Sequence, residues 1–86
     1  MLLDREYHRT LARATRNDVL AEILYKLNER SLRFWFISLV DAQHHSQVQD
    51  EHELVLQAIR NRDPNLAVSA MRSHIESFRK KIARYP

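Results

Sequence analysis

The stretch Asp63-Pro64-Asn65-Leu66-Ala67-Val68-Ser69-Ala70-Met71-Arg72-Ser73-His74-Ile75-Glu76-Ser77-Phe78-Arg79-Lys80-Lys81-Ile82 decides the fold class. Asp63 is a helix-capping residue, and Pro64 follows at the first helical position, where a missing N–H costs nothing and φ is already helical. Ala67, Ala70, Met71, His74, Ile75, Phe78 and Ile82 recur at spacings of three and four, one face of an amphipathic helix. Arg79, Lys80, Lys81 and Arg84 gather at the far end, where cations meet the negative end of the dipole. One polar group interrupts the apolar stripe, the imidazole of His74.

The same reading extends upstream. Ser46-Gln47-Val48-Gln49 has the form of a capping box and opens a third helix that closes near Asn61. In it His52 shares a face with Val48, Val55 and Ile59, so a second imidazole points inward. The segment Asp41-Ala42-Gln43-His44-His45 has no helical period and reads as a connection, with His44 and His45 at the surface. Asn17 caps a second helix, with Asp18 in its first turn. Its stripe of Val19, Leu20, Ile23, Leu24 and Leu27 is continued, after polar Asn28 to Ser31, by Phe34, Trp35 and Leu39. A first helix runs from about Leu2 to Ala14, its stripe of Leu3, Tyr7, Leu11 and Ala14 flanked by Asp4 and His8. With no glycine and two prolines there is little turn chemistry for β-hairpins. The expected fold is all-α, an antiparallel bundle of about four helices.

Composition narrows the class further. Eighty-six residues make one small domain with a marginal core. Without cysteine there is no disulfide, no thiolate ligand and no thiol nucleophile. The longest apolar run, Phe34 to Val40, falls far short of the roughly 20 residues that span a bilayer. Asp4, Arg5 and Glu6 interrupt any signal-like apolar segment after Met1, so a cytoplasmic location is expected and no membrane partner. A net charge of +3 permits nucleic-acid contact without demanding it. The ridge of Arg5, Arg9 and Arg13 reads as a solvated face, because no aromatic or glycine-rich recognition element accompanies it. Trp35, with Phe34 and Phe36, suits a core or a subunit contact.

The residues with chemistry are Asp4, His8, His52 and His74. Asp4 and His8 stand four apart, on one face of one helix, where they could share an ion. Imidazole and carboxylate together suit a divalent transition metal, zinc first, with nickel, iron or manganese also accommodated, and leave a coordination position open. That position could hold a ligand or activate a water, so a sensor and a small metal-dependent hydrolase both remain open. A hydrolase needs a base, and Glu6, Glu51 and Glu53 adjoin the ligands in sequence but point around the helix from them. A third reading makes the histidines hydrogen-bonded core groups of a structural dimerisation module. Asn17 is a candidate for effector contact, although capping already accounts for it.

The residues Leu3 to Ala12 followed by Asn17 and Leu20, Glu51-His52, Ala58-Ile59-Arg60-Asn61-Arg62-Asp63, Ala67, and Met71-Arg72-Ser73-His74-Ile75 resemble the FCD domain. This is the C-terminal effector-sensing domain of the FadR subfamily of GntR-type bacterial transcription regulators. The resemblance implies that residues 1–86 are part of a larger FCD bundle, without its opening helices and without a DNA-binding domain. It implies that Asp4, His8, His52 and His74 hold a metal beside a cavity for a small organic acid, with no catalysis. Effector binding would then act on DNA through a winged helix-turn-helix domain that this chain lacks, within a homodimer. Arg16 departs from the family pattern, which commonly has glycine before Asn17.

Overall fold

A computed structural model describes residues 2–32 and 42–84. They form four helices and, among the described residues, no strand: α1 Leu2–Ala14, α2 Asp18–Ser31, α3 Ala42–Arg60 and α4 Pro64–Ile82. The all-α expectation is borne out. The chain divides into two compact units, Met1–Phe36 and Ile37–Pro86, and the described residues of each form a pair of helices.

In the first unit the N-cap forms as its sequence predicts. Asn17 takes an extended conformation, and its side-chain oxygen accepts from the Leu20 N–H at 3.0 Å. The helices run antiparallel, since Arg5 near the start of α1 reaches Glu29 near the end of α2 at 2.6 Å. Burial corrects the expected stripe. Tyr7 and Leu11 are half-buried, Ala14 is exposed and Ala12 is buried, while the Leu3 side chain lies outside the described residues. A methyl-sized side chain one turn before the joint lets the chain double back within three residues. The stripe on α2 exists but no α2 residue is buried: Val19, Leu20, Ile23, Leu24 and Leu27 are all exposed. Periodicity reveals an amphipathic helix, not what covers its apolar face. The expected continuation through Phe34, Trp35 and Leu39 lies outside the described residues.

In the second unit Asp63 caps α4, its carboxylate accepting from the Leu66 N–H at 3.0 Å with Pro64 at the first helical position. The helices are again antiparallel, because Gln47 reaches Ser77 while Glu51, one turn further along α3, reaches His74, one turn back along α4. The start of α3 differs from expectation. Ala42 to His45 are helical rather than a connection, and His44 is buried while His45 is exposed. The apolar period fails there because the inward position holds an imidazole. From His44 the inward row runs in i+4 steps through half-buried Val48 to His52, then in i+3 steps to Val55 and Ala58. Ile59, expected inward, is exposed, and so is Ile75 beside His74.

Candidate metal centre

His52 comes from the middle of α3 and His74 from the middle of α4, and packing of those helices brings the two imidazoles together. Their ring centroids are 4.8 Å apart, with planes at 74°, edge to face. Both residues are buried, at 6% and 7% exposure. A ring nitrogen of each lies within 4.8 Å of the other's. Two nitrogens bound to one zinc ion at about 2.1 Å stand at most about 4.2 Å apart. The donor set of this pair, two imidazole nitrogens, suits a divalent transition metal.

A neighbour unforeseen from the sequence completes the pair. The Glu51 carboxylate lies 2.7 Å from His74 Nδ1, with side-chain exposures of 17% and 9%. Glu51 thus reaches across to the opposite helix, which corrects the expectation that it points away from the histidines. Its second oxygen accepts from Gln47 Nε2 at 3.3 Å, and the same amide donates to Ser77 Oγ at 3.2 Å. No local pattern signals this. Spacing along α3 shows which residues share its face, whereas Glu51 acts on a partner 23 residues away. Gln47 and Ser77 also border an open polar groove of about 510 Å³, with Lys80, Lys81 and Arg84 along it.

In the first unit, Asp4 and His8 stand one helical turn apart on α1. His8 is half-buried, and its ring meets Tyr7 edge to face, with centroids 5.0 Å apart and planes at 86°. Asn17 is exposed with its side-chain oxygen engaged as the cap, and its backbone N–H donates to Thr15 Oγ1. The arginine ridge is less uniform than a simply solvated face. Arg5 is half-buried against Glu29, Arg9 lies 3.9 Å from Glu6, and Arg13 is exposed.

These helices carry a recognisable class of sensory module. The FCD domain family matches residues 1–77, and the chain belongs to it, as part of the GntR-type bacterial transcription regulators. Among characterised relatives it is similar to the Uxu operon regulator of Haemophilus influenzae, 33% identical over 88 residues. That alignment covers 92% of this chain and 32% of the relative, so the chain spans about a third of the relative's length. No solved structure matches it. No helix of the described residues is long and apolar enough to cross a membrane.

Proposed function

We propose that this chain is the metal-containing, effector-sensing part of a cytoplasmic transcription regulator, with Asp4, His8, His52 and His74 as ligands of one divalent ion. Zinc suits the nitrogen-rich set best, and nickel, iron and manganese are the alternatives. The observation that carries the reading is the meeting of His52 and His74, two buried imidazoles within reach of one ion. Two imidazoles side by side in a buried place supply nitrogen donors of the kind such an ion takes.

The effector is a small organic acid. A carboxylate can take a coordination position left open on the ion, so binding would add charge complementarity to the fit of a cavity. Asn17 can contribute through its side-chain amide N–H groups, since its oxygen serves the cap. The domain performs no catalysis. In the complete regulator it acts as a homodimer and changes operator affinity through a winged helix-turn-helix domain, a coupling between two sites. Similarity to an operon regulator supports that role.

The test is elemental analysis of the purified, tag-free protein, with thermal melting before and after exhaustive chelation. The expected result is near-stoichiometric metal, a melting point that falls on chelation, and loss of the metal in His52→Ala and His74→Ala. Full metal content in both variants would refute the ligand set. A wild-type protein that neither carries metal nor takes up added zinc, nickel or manganese would refute the metal.

A further inference from the structure

We infer that Glu51 is a positioning residue that fixes the His74 imidazole for metal ligation, with Gln47 supporting it from behind. The inference rests on the metal reading above and adds to it the residue that orients one ligand.

The Glu51 oxygen lies 2.7 Å from His74 Nδ1, and a carboxylate that accepts there holds the proton on Nδ1. In the neutral ring the lone pair is then on Nε2, which becomes the ligating atom. A metal-bound histidine characteristically donates its other N–H to a carboxylate, which selects the tautomer, sets the ring plane and raises ligand basicity. The surroundings make this placement firm. His74 has a side-chain exposure of 9% and Glu51 of 17%, so water competes weakly for their bond.

Gln47 restrains the other end of the carboxylate. Its Nε2 lies 3.3 Å from Glu51 Oε2 and 3.2 Å from Ser77 Oγ, so it ties the Glu51 side chain to α4 one turn from His74. Residues 51 and 52 stand about 100° apart around the axis of α3. Glu51 therefore bonds the His74 ring while His52 meets it edge to face, and the dipeptide Glu51-His52 supplies both a ligand and the holder of another. A glutamate with only a solvating role would have no reason to be half-buried and bonded through both oxygens.

The experiment uses Glu51→Ala, Glu51→Asp and Glu51→Gln in the 86-residue chain. Two readouts are taken: zinc affinity by competition with a chromophoric chelator, and the tautomer of His74 from imidazole 15N shifts in the metal-free protein. Zinc affinity should fall roughly 10- to 100-fold in Glu51→Ala, with the His74 tautomer becoming mixed. Glu51→Asp, whose shorter side chain falls short of Nδ1 and which tests the point should the alanine variant not fold, should behave alike. Glu51→Gln keeps an acceptor oxygen and should retain the Nδ1–H form with most of the affinity. A merely structural Glu51 would lower the melting temperature without moving the tautomer.

Unchanged affinity or an unchanged tautomer in Glu51→Ala and Glu51→Asp, with a wild type that binds zinc, would overturn the role of Glu51 and leave the metal reading standing. A wild type that binds no added metal would overturn the metal reading, and with it any ligand for Glu51 to orient.

Discussion

The two helical hairpins turn the same corner and then diverge. Each joint is three residues long, and each sets an arginine in the left-handed region just before the next N-cap: Arg16 at φ 55° before Asn17, and Arg62 at φ 53° before Asp63. Each has a buried alanine four residues ahead of that arginine, Ala12 and Ala58. In the second hairpin the backbone closes a full Schellman pair, Asp63 N–H to Ala58 O at 2.9 Å and Arg62 N–H to Ile59 O at 3.0 Å. In the first, the Arg16 N–H bond to Arg13 O is kept, but the Asn17 N–H goes to Thr15 Oγ1, which itself donates to Ala12 O. A hydroxyl has been inserted where the other joint uses a direct backbone bond. Beyond the joints, the second hairpin buries His44, His52, Val55, Ala58 and His74, while the first buries Ala12 and exposes the apolar row of α2. Local turn chemistry makes a hairpin, and what its faces bury is decided separately.

Core substitutions should separate the hairpins most strongly. Val55 is 2% exposed and Ala58 fully buried, whereas Ile23 on α2 is 50% exposed. Val55→Ala removes buried methyl groups and leaves a cavity, and should cost about 2 kcal/mol. Ala58→Leu must force three extra carbon groups into a closed joint, at a cost of about 1–3 kcal/mol. Ile23→Ala should stay within about 0.5 kcal/mol, as exposed substitutions do. Chemical denaturation of the three variants measures this. A loss at Ile23 equal to that at Val55 would show that the α2 face is covered in solution, as in the proposed homodimer, and would erase the contrast.

Local features of the sequence divide from long-range ones in the same way. The bounds of α1, both N-caps and the proline start of α4 were legible because they depend on neighbours within four residues. The inward positions of His52 and His74 were legible from period. The start of α3 was not, because a buried imidazole at His44 reads as polar, and neither was the outward orientation of Ile59 and Ile75. Glu51 was missed for a different reason. Its partner is on another helix, and periodicity carries no information on which side chains face each other across a hairpin.

The joints offer a smaller and opposite effect. A residue with a Cβ in the left-handed conformation costs roughly 1 kcal/mol or more, and glycine avoids that cost while giving back part of it as unfolded-state entropy. Arg62→Gly should therefore raise stability by about 0.5 kcal/mol, seen as a rise of a few degrees in melting temperature. Arg16→Gly should do the same at the position where the FCD family commonly has glycine. A gain at one joint and not the other would point to the Thr15 hydroxyl, which replaces a direct backbone bond in the first joint, and Thr15→Ala would test it.

The weakest expected effect lies on the outer face of α4, where Arg79 holds the Glu76 carboxyl below its usual range through a side-chain hydrogen bond, and Glu76 in turn raises the Arg79 guanidinium. A carboxyl whose folded pKa is depressed binds its proton less readily in the native state. Its contribution is present above the unfolded carboxylate value near 4.5 and is lost as pH falls through the lower folded one. Both groups are solvent-exposed and one helical turn apart, so salt should screen their attraction. Glu76→Gln should leave melting at pH 2 unchanged from wild type and lower it slightly at pH 6 in dilute buffer, with the difference shrinking in 1 M salt. A difference of equal size at pH 2 would mean that Glu76 acts through packing rather than charge. Because His52 and His74 belong to the opposite, buried side of the same hairpin, metal content should be the same in Glu76→Gln and wild type, which separates the solvated face of α4 from the one that carries the site.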